Sequence, residues 1–343
     1  MTPKRIKRHS AIALLLIFML LWGAGCGSSA AKDNAGKDGA GAAGKTVDFP
    51  TKDITFIVPV SPGGGYDTYS RILAQYMPKY LPKPVNIIIK NMPGGEWNIG
   101  LGELNRAKPD GYTIGIFNIP GNVVNQIMGA SYDLNKMTWI GRVTDTVYVG
   151  ALSPKSKFKT LEDLKKADEV KVGVVGLSST AGLGSLIALQ EMGIKAKFVT
   201  HPGSTEAVMA AIRGDVDYVQ YPYPTLKKFI VDSQQLNPII IFYPERHKDL
   251  PNVPTVKEAG YSQLLDVVKA DYLVGGTPGI PPEIAKILRD AFQQTMKDPE
   301  VMKKMEEFGQ PARPASDEEA ARIIADSLKV FGKYKDLVAQ NQK

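Results

Sequence analysis

Short apolar, β-branched runs alternate with helix-patterned segments from Ile54 onward, and this alternation constrains the fold more than any other feature of the chain. The first unit is typical. Residues 54–60 read as a buried strand, a proline and three glycines interrupt it, and residues 66–79 place their apolar side chains on one helical face. A repeated β-α-β-α order makes most strands parallel and covers the sheet with helices. The sequence therefore predicts an α/β protein.

The beginning of the chain precedes this alternation. The chain has 343 residues, enough for two domains. Four basic residues come before the apolar run 11–22, which is too short for a stable membrane span, and small residues follow it. Residues 1–25 are therefore predicted to be a secretory signal peptide.

Cys26 is the single cysteine of the chain, so an internal disulfide is excluded. The small residues before it, at the end of an apolar run, resemble the lipobox of bacterial lipoproteins, in which the cysteine is lipidated. Gly, Ala, Ser, Lys and Asp dominate the residues that follow, so 26–50 is predicted to be a lipid-anchored, flexible tether at the outer face of the cell membrane. The alternative is a soluble secreted protein whose leader carries an unrelated cysteine.

The basic charge of the chain does not indicate a nucleic-acid partner. Subtracting the four basic residues of the leader from the formal net charge of +7 leaves +3. The remaining Lys and Arg are mixed with acids, and no basic stripe with interleaved aromatics occurs.

The glycine loop after the first strand is the first candidate site. Glycines let the backbone approach a ligand, and the first amides of a helix lack intrahelical partners, so this junction can hold carboxylate or phosphate oxygens. It matches neither a phosphate-binding P-loop nor a dinucleotide fingerprint. The alternative is a tight strand-to-helix connection without a ligand. The residues predicted to bind are Pro62, Gly63, Gly64, Gly65, Tyr66 and Asp67.

Two later loops also follow predicted strands, where ligands of open α/β sheets bind. Asn118 and Asn122 follow the strand at 112–117. Hydroxyl residues follow the strand at 170–175, and hydroxyls with main-chain amides can bind an anion without a buried cation. The alternatives are that the asparagines satisfy turn backbone and that a hydroxyl only caps the next helix. The candidates in this third loop are Ser178, Ser179, Thr180, Ala181 and Gly182.

Three further segments are predicted from pattern alone. Residues 139–152 form one long β-rich passage, residues 253–260 a short capped helix, and residues 317–339 a long amphipathic helix that closes the chain.

Six motifs, in this order and spacing, resemble the extracytoplasmic solute receptors of tripartite tricarboxylate transporters. They include Ala-Lys-Pro-Asp-Gly-Tyr-Thr at 107–113 and Leu-Pro-Asn-Val-Pro-Thr-Val-Lys-Glu-Ala-Gly at 250–260. The others lie at 59–67, 91–100, 214–217 and 279–282. The resemblance extends over residues 51–338.

The resemblance implies a two-lobed, hinged, type II periplasmic-binding-protein-like fold with mixed sheets flanked by helices. It implies a first lobe from 51–148 and 267–343, and a second from 149–266. The glycine loop and residues 178–182 would each hold part of a small organic acid, while the asparagine loop and the strand end from Asp217 to Tyr221 line the cleft. The partners are then a small carboxylate, membrane permease subunits and, through Cys26, the membrane. We expect a monomer and no cofactor.

Two other functions remain open from the sequence. An exported hydrolase needs a nucleophile with a base, but neither a Gly-x-Ser-x-Gly elbow nor a metal-spaced cluster occurs, and His201 and His247 read as turn and surface residues. We therefore expect binding without catalysis and no metal. A sensory receptor or adaptor that signals to a membrane kinase would use the same lobes, and the sequence does not separate it from a transport receptor.

Overall fold

The structure is a computed structural model that describes residues 47–63, 65–177 and 179–341. The predicted signal peptide, Cys26, most of the predicted tether, Gly64 and Ser178 lie outside the described residues. Within the described ranges, none of the helices combines the length and the apolar character that a membrane span requires.

Strands and helices alternate along the described chain as predicted. The strands are β1 Ile54–Val58, β2 Ile87–Asn91, β3 Thr113–Ile119, β4 Thr138–Thr146, β5 Tyr148–Leu152, β6 Val170–Val174, β7 Ala196–Thr200, β8 Tyr218–Pro222, β9 Asn237–Phe242 and β10 Ala270–Gly276. The helices are α1 Gly65–Tyr76, α2 Asn98–Arg106, α3 Gly121–Ile127, α4 Leu161–Lys165, α5 Thr180–Glu191, α6 Ser204–Arg213, α7 Tyr223–Lys227, α8 Pro282–Thr295, α9 Pro299–Glu307, α10 Asp317–Gly332 and α11 Lys335–Asn341.

The strands form two mixed five-stranded sheets, and the predicted fold class is confirmed. The first sheet has the order β2-β1-β3-β10-β4, and the second has the order β7-β6-β8-β5-β9. In each sheet four strands run in one direction, and the fourth in spatial order, β10 or β5, is antiparallel to both of its neighbours. We call each sheet with its covering helices a lobe.

The chain passes twice between the two sheets. Only Val147 separates β4 of the first sheet from β5 of the second, so the passage predicted as one β-rich segment is divided between two sheets. The return passage is residues 267–269, directly before β10. Two short connections of this kind therefore join the two lobes.

Apolar faces of the strands and helices build the core of each lobe. Phe56 and Ile57 of β1 and Tyr69 and Leu73 of α1 are buried almost completely. Burying each side chain of this size stabilises the fold by roughly 1.5–3 kcal/mol. Packing of its apolar face therefore holds α1 to the first sheet.

Two predicted helices differ from the structure. The final helix ends at Gly332 and a separate helix begins at Lys335, because a glycine is a poor residue for a helix interior and the chain turns there. Residues 253–260 form turns instead of a helix. Thr255 and Glu258 exchange the hydrogen bonds of a helix cap, and the Val256 amide donates to the carbonyl of Ile241.

Candidate ligand-binding cleft

A cleft of about 380 Å³ lies where the carboxyl ends of β3 and β6 face each other. A crevice beyond strand ends, between two lobes, is where α/β proteins bind small molecules. The residues that line it are Glu96, Trp97, Asn118, Gly121, Asn122, Asn125, Val175, Gly176, Ser179 and Thr180. Of the predicted binding residues, Asn118, Asn122, Ser179 and Thr180 therefore come together in one cavity.

A hydrogen bond connects the two lobes across this cleft. Asn118 at the end of β3 donates from Nδ2 to Thr180 Oγ1, at the start of α5, over 2.9 Å. Gly121 makes the contact possible, since a Cβ there would lie 2.7 Å from Asn118 Nδ2 and 2.9 Å from Thr180 Oγ1. Because Thr180 Oγ1 accepts this bond, its own proton remains for a second partner.

The two asparagines present unsatisfied polar atoms in the cleft. Asn122 Oδ1 accepts from the Asn118 main-chain N–H at 2.7 Å, which fixes the Asn122 amide with Nδ2 pointing the other way. Asn122 is 1 % exposed and Asn118 is 8 % exposed. Within the described part of the chain, Asn122 Nδ2 and Asn118 Oδ1 have no hydrogen-bond partner. Buried groups of this kind are costly unless something else satisfies them, so both atoms are candidates for hydrogen bonds with a ligand.

The start of α5 is capped by a hydroxyl and remains open to an anion. Ser179 Oγ accepts from the Gly182 amide at 3.0 Å and donates to the Gly176 carbonyl, so the alternative that Ser179 caps the helix holds in the structure. Capping uses the Gly182 amide and leaves those of Thr180 and Ala181 for a ligand. No acid occupies the first turn of α5, so the positive end of its dipole is not neutralised internally.

Asp67 in the glycine loop has a different role from the one predicted. Its carboxylate is 2 % exposed and accepts hydrogen bonds from the Gly63 amide, Arg71 Nε and Asn91 Nδ2 at 2.8–2.9 Å. Burial alone would raise the pKa of Asp67, but these hydrogen bonds, led by the one from Arg71, lower it to about 2. An ionised carboxylate at the start of α1 thus closes the loop, and Asp67 is not among the lining residues of the cleft.

The rest of the glycine loop reaches the cleft through an aromatic contact. Tyr66 packs edge-on against Trp97, with ring centroids 4.6 Å apart, and against Tyr272 at 4.1 Å. Burial, then the neighbouring Tyr272, raises the pKa of Tyr66 well above its usual value, so its hydroxyl stays protonated. Pro62 and Gly63 are exposed ahead of α1.

The structure places Asp217 and Tyr221 away from the predicted positions. Asp217 precedes β8, at the strand end opposite the cleft, and accepts from Ser156 Oγ at 2.8 Å and the Lys171 amide at 3.0 Å. Tyr221 is 3 % exposed in the core of the second lobe. Neither residue is among the lining residues of the cleft, so we leave Asp217 and Tyr221 out of the proposed site.

Sequence pattern alone does not identify the Glu96–Trp97 wall of the cleft. Gly94, Gly95, Glu96 and Trp97 have positive φ angles of 119°, 56°, 51° and 79°, and two of these residues are not glycine. The sequence signal that could have located this wall is the pair Gly94–Gly95 between a strand and a helix, because glycines also occur in the other two loops between a strand and a helix.

Charge in the cleft is one-sided. Among the described residues that line it, Glu96 is the one acid, and neither lysine nor arginine is present. No group of three or more His, Cys, Asp or Glu side chains suited to a metal ion occurs in the ranges that the structure describes. The arrangement can therefore bind and orient a solute through hydrogen bonds.

His247 lies in another cavity, with Arg246, Lys248 and Arg313 among its lining residues. Its ring stacks on Tyr223 at 3.9 Å, and burial lowers the pKa of His247. His201 follows β7, and its amide donates to the Val174 carbonyl at 2.8 Å. Neither histidine is among the lining residues of the cleft.

Comparisons with known proteins agree with this geometry. The family described as "Tripartite tricarboxylate transporter family receptor" matches residues 69–339. A UPF0065 protein of Agrobacterium vitis, from the TAR-I ttuE-ttuC' intergenic region, is 26 % identical over 269 residues, which is 76 % of each chain.

Two solved structures share the fold. A TctC solute-binding protein from Polaromonas superposes with a TM-score of 0.72 at 22 % identity, covering 85 % of this chain and 99 % of that one. MatC from Rhodopseudomonas palustris, solved with bound malate, superposes with a TM-score of 0.68 at 21 % identity, covering 84 % of this chain and all of the other.

Proposed function

Since the chain belongs to the tripartite tricarboxylate transporter receptor family, whose members are extracytoplasmic solute-binding receptors, we propose that it captures a small organic carboxylate in the cleft between its lobes and delivers it to membrane permease subunits. The observation that carries the proposal is the pair of neutral donors, Asn122 Nδ2 and the Thr180 hydroxyl, brought from two sheets to one cavity. The malate bound by the Rhodopseudomonas relative is a ligand of this class.

Binding follows from dipoles and hydrogen bonds. A carboxylate at the start of α5 accepts from the main-chain amides of Thr180 and Ala181, from the Thr180 hydroxyl and from Asn122 Nδ2. Ionised acceptors strengthen such hydrogen bonds, and neutral donors avoid the cost of burying a lysine or arginine.

Closure of the lobes completes the site. The Asn118–Thr180 hydrogen bond joins the two lobes, so it can form only when the cleft is closed. A ligand that contacts both sides favours the closed form by its differential affinity for the two states. The closed form is then the form that the permease subunits recognise.

The attachment to the membrane belongs to the same proposal. Cys26, which lies outside the described residues, carries the lipid, and residues 26–50 act as the tether. More than one acyl chain is needed for stable anchoring, which a lipidated amino-terminal cysteine supplies. The receptor acts as a monomer without a cofactor or catalytic step.

Calorimetric titration of the purified protein with malate and a panel of other mono-, di- and tricarboxylates tests the proposal. We expect one acid to bind with one-to-one stoichiometry and to be recovered unchanged, as judged by NMR of the ligand. Thr180→Val keeps the side-chain shape but removes the hydroxyl, and it should weaken the binding of that acid about tenfold.

Ser185→Ala is the matched control, because this hydroxyl lies one turn further along α5 and donates to the Ala181 carbonyl within the helix. It should leave the affinity within about threefold of the wild type. Failure of every carboxylate to bind, or conversion of a bound acid, would overturn the proposal.

A further inference from the structure

The polar groups of the cleft are suited to a single carboxylate. The start of α5 has no acid in its first turn, and Asn122 Nδ2 is buried without a hydrogen-bond partner in the described chain. The start of α1, in the first lobe, is already paired with the ionised carboxylate of Asp67. Neither lysine nor arginine occurs among the described residues that line the cleft, so a second carboxylate there would lack a compensating charge.

Apolar surface lines the same cavity from both lobes. Trp97, directly before α2, and Val175, directly after β6, are half-buried lining residues. An indole ring offers a large, flat, apolar surface, and a second aromatic ring packs on it more favourably than the buried area alone predicts. The body of a bound acid therefore meets an aromatic surface as well as hydrogen-bond donors.

Trp97 is held in position before any ligand binds. Its φ angle of 79° is one that non-glycine residues adopt only when their surroundings enforce it. Asn125 Nδ2 donates to the main-chain carbonyl of Glu96 over 2.6 Å, which fixes the backbone before Trp97. Tyr66 packs edge-on against the indole, and the buried Tyr272 supports Tyr66 from the core. A ring held in this way costs little further ordering when it contacts a ligand.

We propose that the ligand is an aromatic acid with a single carboxylate. This rests on the proposed function and specifies its ligand. The carboxylate binds Asn122 Nδ2 and the start of α5, and the ring of the ligand packs on the indole of Trp97. Trp97 is thus the specificity-determining residue for a ring, while the lack of a second charge partner among the described lining residues selects against diacids.

Calorimetric titration with pairs of acids that differ only in the saturation of the ring tests this inference. The pairs are benzoate with cyclohexanecarboxylate, phenylacetate with cyclohexylacetate, and 3-phenylpropionate with 3-cyclohexylpropionate. Malate, succinate and adipate report on a second carboxylate. We expect the tightest ligand of this panel to be an aromatic monocarboxylate that binds at least about fivefold more tightly than its saturated counterpart.

Trp97→Leu should reduce this preference to less than about twofold, because leucine supplies apolar surface without a π-system, whereas Trp97→Phe should retain more than about threefold. The ratio of the two affinities within a pair is the readout, since a general distortion of the cleft would weaken both acids alike. Tyr76→Leu is the matched control. It removes a half-buried aromatic ring from the far end of α1, outside the cleft, and should change neither affinity.

Three results would overturn the inference while the proposed function stands. They are tightest binding of a diacid, equal binding of the two members of every pair, and an equal loss for both members of a pair in Trp97→Leu. Where a Trp97 variant does not fold, the wild-type panel decides. If no acid of any kind binds, the proposed function itself fails.

Discussion

The two lobes have the same strand order but different chemistry where they meet the cleft. In each sheet the strand that opens the parallel series, β1 or β6, lies between the next two strands of that series, and a crossing strand, β10 or β5, separates the third strand of the series from β4 or β9. In each lobe this opening strand, β1 or β6, leads through a glycine-containing loop into a helix, α1 or α5. The starts of α1 and α5 are therefore topologically equivalent, and each could bind an anion.

The start of α1 is already neutralised, whereas the start of α5 is not. Asp67 places a buried, ionised carboxylate on the first lobe's loop, and Arg71 and Asn91 hold it there. Ser179 caps α5 with a neutral hydroxyl. The dipole of α1 is thus neutralised within the protein and contributes to stability, whereas the start of α5 has no acid in its first turn and remains available for the proposed ligand anion. The comparison teaches that equivalent topology does not make equivalent sites.

The largest effect should come from Asp67→Asn. The folded pKa of about 2 lies below the ordinary value of 3.8, so the ionised carboxylate stabilises the fold by roughly 2 kcal/mol at neutral pH. We expect the variant to lose that much free energy of unfolding in urea titrations at pH 7. The difference should be full above pH 3.8 and disappear as the pH falls towards 2.

Asp290→Asn is the control for this variant. Asp290 pairs with Lys286 on an exposed helix surface of the same lobe, and such pairs contribute less than about 1 kcal/mol. Ligand affinity at pH 7 should stay near the wild-type value in both variants. A large loss of affinity in Asp67→Asn with unchanged stability would reverse the assignment of roles to the two helix starts.

Gly121→Ala should have the next largest effect, through the contact between the lobes. The new methyl group would displace Asn118 from Thr180. Losing one such hydrogen bond should lower the affinity for the ligand about tenfold. Gly332→Ala is the control, since a Cβ at that position would have no atom within 4 Å, and its affinity should not change. Unchanged affinity in Gly121→Ala would show that the Asn118–Thr180 contact is irrelevant to binding.

Ser179→Ala should have the smallest effect, a loss of about 1 kcal/mol in the free energy of unfolding, typical of a lost helix cap. Affinity should fall only about threefold, because the start of α5 becomes less ordered. Ser316→Ala removes the equivalent cap of α10, outside the cleft. It should lower the free energy of unfolding by a similar amount without changing the affinity for the ligand. A stability loss in Ser179→Ala greater than that in Asp67→Asn would contradict the comparison.

The α/β class could be predicted from the sequence because strand and helix periodicities and turn residues are local signals. The asparagine and hydroxyl loops were predictable for the same reason, since both follow strands whose ends face the cleft. The family and the mixed sheets followed from the resemblance that the six motifs carry. The hydrogen bond from Asn118 to Thr180 could not be predicted from the sequence, because the two residues meet only through the packing of the two lobes.

Asp67 shows why the site residues were harder to predict. A carboxylate beside three glycines suggests ligand contact, but the pairing of β1 with β2 brings Asn91 to it, and Arg71 one helical turn away completes its partners. Glu96 and Trp97 were missed because no local rule predicts left-handed backbone at a glutamate followed by a tryptophan.

The position of β10 has a consequence for how the protein is made. This strand comes from residues 270–276 yet lies in the middle of its sheet, between β3 and β4. The second sheet, in contrast, is encoded by one continuous stretch from β5 to β9. As the polypeptide emerges from the ribosome or the export channel, the inserted lobe can finish while its host still lacks a central strand. Vectorial synthesis thus allows the lobe that contains α5, the proposed anchor of the carboxylate, to fold first.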